Sequence, residues 1–145
     1  MRNSDLAIAC FEEGFNCSQS VLSPFAPTLG LDRETALRVA APFGGGMGRT
    51  GETCGAASGA LIAIGLRYAQ PSADDKDAKE KTYELAAEFL NRFAGRNDGC
   101  VKCRELLGRD IGTPEGLQAA RERGLFETLC PKFVRDAAEI VEEMI

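Results

Sequence analysis

Apolar positions recur at helical spacing along most of the chain and nowhere alternate over a strand's length. Asn3-Ser4-Asp5 offers caps for a first helix, with Leu6, Ala9, Cys10 and Phe11 on one stripe and Gly14 at its end. Asn16 reads as the N-cap of a second helix that opens on Cys17 and is limited by Pro24 and Pro27. Asp32 caps a third, Arg33 to Ala40, which Pro42 stops. A glycine-crowded loop follows, from Gly44 to Gly51. Cys54 then opens a helix of very small residues, reaching about Ala69. A long amphipathic helix is predicted from about Asp74 to Phe93, with Tyr83, Ala86, Ala87, Leu90 and Phe93 as its apolar stripe. Cys103 to Leu107 reads as a short helix stopped by Gly108. Thr113-Pro114-Glu115 starts another, to about Arg123. Cys130-Pro131 begins the last, with Phe133, Val134, Ala137, Ile140, Val141 and Met144 facing the core. The pattern predicts one all-α domain over residues 1–145, a bundle of six to eight helices with the glycine loop placed before the helix that carries Cys54.

At 145 residues the chain is long enough to bury a core without disulfides. Its net charge of −5 favours neither nucleic acid nor an anionic membrane as partner. No stretch approaches the roughly 18 apolar residues of a membrane span. The N-terminal apolar run is too short for a signal peptide, and Asp5, Glu12 and Glu13 interrupt it. The expected location is the cytoplasm, where thiols stay reduced.

That expectation makes the cysteines informative. There are six, at positions 10, 17, 54, 100, 103 and 130, and no histidine. The missing imidazole removes Cys-His nucleophile pairs, Cys/His zinc sites, His-ligated haem and histidine acid–base catalysis. No other acid–base or nucleophile–base pair supports a hydrolase or transferase.

Taken singly, a free cysteine is most often a small buried hydrophobe, and Cys10, mid-helix on an apolar stripe, fits that description. Cys17, Cys54, Cys103 and Cys130 each fall at a predicted helix start. Free N–H groups and partial positive charge there stabilise thiolate and donate to thiolate or cluster sulfur. Scattered core cysteines have no reason to choose such positions. Cys100-x-x-Cys103 lacks the βαβ context of a thioredoxin-like motif, and Arg104 stands where attachment of c-type haem needs His.

Gly46-x-Gly48-x-x-Gly51 matches the dinucleotide fingerprint as a string but follows a helix and a proline, not a strand. Glu52 stands where a phosphate loop needs Lys. NAD and other nucleotides are therefore not expected. The loop serves either as a tight connection between packed helices or as a backbone that wraps a cofactor with inward N–H groups, with Gly45, Gly46 and Gly55 as the candidate cofactor-binding positions. Arg49, Glu52 and Thr53 are candidates for groups supporting such a site.

These residues resemble the C_GCAxxG_C_C family of redox-active proteins, named for its four cysteines. Cys54-Gly55-Ala56-Ala57-Ser58-Gly59 resembles the hallmark segment, and Cys17, Cys103 and Cys130 look like the other three family cysteines. The similarity runs from about Gly14 to the last helix and leaves out Cys10 and Cys100. The family also resembles the cluster-bearing part of split-Soret cytochromes, which are dimeric and carry an iron–sulfur centre beside c-type haem. Without His or C-x-x-C-H, no haem transfers. The resemblance implies a four-cysteine iron–sulfur site and a homodimer.

Three functions follow as expectations. The first is a redox or electron-transfer protein, an oxidoreductase in the broad sense, serving an unidentified redox partner protein. Its Cys17, Cys54, Cys103 and Cys130 converge on one site and bind an iron–sulfur cluster or another metal such as zinc. The second is a thiol–disulfide protein without metal, its disulfide centred on Cys54. The third is a helical binding module with structural cysteines.

Overall fold

Polar caps set where the helices begin. Asn16 and Gln19 form a reciprocal capping box, each side chain bonding the other's backbone N–H at 3.0 Å. Asp32, Asp75 and Thr113 cap three further helices through backbone N–H groups at 3.0 Å. The computed structural model describes all residues, 1–145. Ten helical segments follow in order: α1 (Asn3–Glu12), α2 (Cys17–Phe25), α3 (Arg33–Ala40), α4 (Gly44–Met47), α5 (Gly55–Tyr68), α6 (Lys76–Gly95), α7 (Cys103–Leu107), α8 (Pro114–Glu122), α9 (Leu125–Thr128) and α10 (Cys130–Met144). Two 3₁₀ turns, Pro27–Leu29 and Ala41–Phe43, join them. The chain is all-α, as its periodicity predicts. No helix is long and apolar enough to cross a membrane.

The centre is α1, α2, α5 and α10, with α3 and α6 flanking. Twenty-six buried residues form one continuous apolar cluster, so there is no second core. The closest approach is between α2 and α5. A Cβ on Gly59 would lie 2.5 Å from the carbonyl oxygen of Ser18 and 3.1 Å from its Cα. A Cβ on Gly55 would lie 3.2 Å from the Ser18 nitrogen. Backbone meets backbone here, which only glycine permits.

Two predicted stripes are rotated. In α6 the buried side chains are Phe89 and Phe93, with Leu85, Ala86 and Leu90 beside them, while Tyr83 is 62% exposed and Ala87 is exposed. Near its N-terminal end α6 has little to pack against, so Tyr83 lies on the surface under Lys79. In α1 the buried face is Ser4, Ala7 and Cys10, and Leu6 and Ala9 face solvent, because α2 and α10 both cover the other side. The predicted glycine loop contains one irregular helical turn, α4, with Gly45 and Gly46 in the left-handed region at φ 67 and 68.

Gly59→Ala should lower stability by about 1–3 kcal/mol, since the obstructing atoms are backbone and cannot swing aside. Gly65→Ala, on the same helix with no atom within 4 Å of the new Cβ, should raise it by about 0.5–1 kcal/mol. Urea midpoints at unchanged slope check both.

Candidate functional site

Four helix starts face one cavity. Cys17 is the first residue of α2, directly after the Asn16 cap. Cys54 is the N-cap of α5, Cys103 the first residue of α7, and Cys130 the first residue of α10.

Short-range interactions fix each. Asn16 also donates from Nδ2 to the Ala41 carbonyl at 3.0 Å, and Gly44 packs against its side chain, so α4 is seated on the start of α2. The segment 51–54 runs antiparallel to 101–104. The Cys54 N–H donates to the Val101 carbonyl at 2.9 Å, Cys103 to Glu52 at 2.7 Å, and Arg104 to Gly51 at 3.1 Å. The Arg104 and Glu52 side chains close the same junction at 2.8 Å, and the Arg104 guanidinium holds the Glu52 carboxyl below its usual range. Gly46 lies beneath this junction, where a Cβ would sit 2.7 Å from Glu52 backbone and 2.8 Å from the Cys103 Cβ.

Cys17, Cys54, Cys103 and Cys130 all line a cavity of about 470 Å³. Gly45, Gly46 and Gly55 line it too. The N–H groups of Gly48, Arg49, Gly51 and Glu52 bond carbonyls five or six residues upstream, at Pro42, Gly44, Gly45 and Gly46. These four N–H groups are therefore not free to donate into the cavity. Cys10 lies outside the cavity, buried, accepting from Ser23 Oγ at 3.4 Å. Cys100 is also outside the lining, its sulfur 3.7 Å from the Asp98 carbonyl, so the C-x-x-C pair is split between surface turn and cavity.

The four sulfurs share walls without closing into a ligand set. No three Cys, Asp or Glu side chains are close enough to hold a metal ion as they stand, and no disulfide joins any pair.

Electrostatics distinguishes the four. The Cys17 thiol facing Cys130 stabilises the Cys130 thiolate and pulls its pKa below the ordinary thiol value. The same contact, with burial added, holds the Cys17 proton tightly. The Cys17 S–H is the donor that the Cys130 thiolate gains, so the pair titrates as a unit with Cys130 ionising first. Burial pushes Cys54 up to about 12, although the Ala56 and Ala57 N–H groups at the start of α5 oppose it. Burial, then the neighbouring Cys54 and Cys130, pushes Cys103 up to about 12. A helix start was expected to depress each thiol, yet at Cys54 loss of hydration outweighs the two N–H donors.

The remaining wall is apolar, including Leu106, Ile111, Leu117, Phe126 and Phe133, with Arg49 and Arg121 among it. Arg121 and the α8–α9 wall carry no local motif; only the fold brings them to the cysteines.

A family model described as "Putative redox-active protein (C_GCAxxG_C_C)" matches residues 15–144. No curated protein and no solved structure matches the chain.

The reduced, metal-free protein should keep constant thiol-linked stability below the ordinary thiol pKa of 9.0 and lose it as pH rises toward about 12. In that window the unfolded chain releases the Cys54 and Cys103 protons while the fold retains them, so rising pH favours unfolding. Urea midpoints measured from about pH 8 to about pH 11 should fall, and less steeply in Cys54→Ala.

Proposed function

Because the chain belongs to the C_GCAxxG_C_C family of redox-active proteins, we propose that it is an electron-transfer protein whose Cys17, Cys54, Cys103 and Cys130 hold an iron–sulfur cluster. The observation that carries this reading is one cavity walled by four thiols, in a chain without histidine. An all-thiolate donor set suits iron–sulfur or zinc. A single zinc ion sits about 2.3 Å from each sulfur, which requires the sulfurs nearly in contact. No three are so placed. An iron–sulfur core keeps several iron and sulfide atoms between its thiolates, which suits sulfurs set around a space.

Such a cluster supplies one-electron transfer when bound. The chain's own residues do the rest. The Ala56 and Ala57 N–H groups, which favour the Cys54 thiolate, would temper its negative charge. The apolar wall limits water, which tunes potential. The raised Cys54 and Cys103 pKa values make loading proton-releasing and favoured by higher pH.

Purification under argon, reconstitution and analysis for iron and acid-labile sulfide test this. The expected result is coloured protein with the two in comparable amounts. Cys→Ser at 17, 54, 103 or 130 should remove more than half of the iron, while Cys10→Ser and Cys100→Ser retain it. Colourless protein after reconstitution, or stoichiometric zinc, overturns the cluster.

The Cys17–Cys130 contact favours a second reading, a thiol–disulfide protein. Its centre would be Cys130, the more readily ionised thiol, rather than Cys54. Two thiols joining as a disulfide release two electrons and two protons to an acceptor disulfide, which becomes two thiols. Oxidation with glutathione disulfide followed by peptide mapping should then show a reversible Cys17–Cys130 link. A Cys54 link, or unchanged free thiols, argues against it.

A further inference from the structure

The cavity holds more than a place for sulfur ligands. Its volume, about 470 Å³, falls in the range of sites for whole small molecules. The eight-atom core of a four-iron cluster does not need that space. Beyond the cysteines the wall is apolar, built by Leu106, Ile111, Leu117 and Phe126.

Its charge is one-sided. The chain carries 22 acidic and 17 basic side chains, yet the lining contains no carboxylate and two arginines, Arg49 and Arg121. Neither arginine has a carboxylate partner; nearby, Glu52 pairs with Arg104 instead. The carboxylates that influence the thiols, Glu127 at Cys130 and Asp110 at Cys103, lie outside the lining. Arg49 is also held in an unusual backbone conformation. It has φ 66, in a run with Met47 at φ 65 and Gly48 at φ 66. Left-handed backbone is disfavoured for a residue with a Cβ and is found preferentially at functional positions. The turn lays the Arg49 stem across Gly45, where a Cβ would come within 3.1 Å of the Arg49 Cγ.

We propose that this cavity binds a small organic carboxylate with an apolar body, its carboxylate gripped by Arg49 and Arg121 and its body against the wall of α7, α8 and α9, beside the four cysteines. The guanidinium fork matches a carboxylate in two parallel hydrogen bonds. A phosphate site usually adds a nest of free backbone N–H groups. Here the Gly48, Arg49, Gly51 and Glu52 N–H groups bond carbonyls at Pro42, Gly44, Gly45 and Gly46, so beside Arg49 the loop adds no such nest and the anion contact falls to the two guanidinium groups. This goes beyond the redox reading, because binding depends on the arginines and the apolar wall and needs neither iron nor a reactive thiol.

Calorimetric titration of the full chain, purified under argon and reduced, tests it with 1-naphthoate as probe. Naphthoate should bind at least about tenfold more tightly than the neutral 1-naphthylmethanol, as expected when a guanidinium–carboxylate pair is lost. Arg121→Gln and Arg49→Asn should each weaken naphthoate about tenfold and leave the alcohol unchanged. Asn is chosen because it tolerates left-handed backbone, and unchanged helical circular dichroism shows that each variant is folded. Arg38→Gln, away from the cavity, should bind as the parent does. Equal affinity for naphthoate and the alcohol overturns the proposal, as do arginine variants that bind naphthoate normally. So does tighter binding of 1-naphthyl phosphate. Arginine variants that lose iron, in a protein that binds no carboxylate, assign both side chains to the cluster and overturn it as well. Naphthoate binding by protein that takes up no iron and shows no reversible thiol chemistry keeps this site and rejects the redox reading.

Discussion

The contact on which the structure depends is the meeting of two helix backbones, α5 on α2, at Gly59 and Ser18. It is the most extensive helix pairing in the fold. No side chain separates the axes there, so the starts of both helices are brought together, and Cys17 and Cys54 with them. From Gly55 to Ala60 every residue of α5 is buried and none is larger than Ser. Those small residues trade side-chain burial for proximity. The apolar area lost at each glycine is made up elsewhere, by Phe89 and Phe93 of α6 and by the broad buried face of α10.

The other two cysteines arrive by different means. Cys103 is carried by backbone pairing between 51–54 and 101–104, reinforced by the Glu52–Arg104 ion pair. Cys130 comes at the head of α10, whose buried face docks on α1, α2, α5 and α6. Behind that face, Asp136 is buried but compensated by Lys132 at 2.6 Å, Arg96 at 3.4 Å and Asn97 at 3.3 Å, which tie α10 to the end of α6. This anchor lies within the first two turns of α10 and so fixes the same end that carries Cys130 to the cavity. The site therefore draws on segments spread over more than a hundred residues.

Burial sets the character of the thiols more than the helix starts do. The Ala56 and Ala57 N–H groups favour the Cys54 thiolate, and its proton is still held up to about 12. Of the four cavity thiols, Cys130 alone, with a neighbouring thiol turned toward it, ionises more easily than a free cysteine. A protein that buries thiols this way stores them neutral until a ligand or an oxidant takes the proton's place. Apolar wall and cationic rim make the same cavity selective for what else approaches it.

Much of this was legible in the residues. The Asn16–Gln19 capping box, the Asp32 and Thr113 caps, Pro114 and the αL glycine at 108 act within a few residues, so helix boundaries can be read locally. The placement of four cysteines at helix starts was legible for the same reason. The rotation of α1 and α6 was not, because which face is covered depends on neighbours distant in sequence, and Leu6 and Tyr83 are apolar enough to pass for core. The turn inside the glycine loop was hidden too, since Gly45 and Gly46 sit at φ values that no pattern of apolar positions reports. The sequence by itself determined the all-α class, the caps and the position of each thiol on its helix, all of which rest on short-range hydrogen bonding and spacing. Tertiary structure alone decided that four thiols share a cavity, that Cys17 meets Cys130, that Cys130 differs from Cys54, and that Arg49 and Arg121 line the same space. Those properties depend on distances between segments and on how much water each segment displaces.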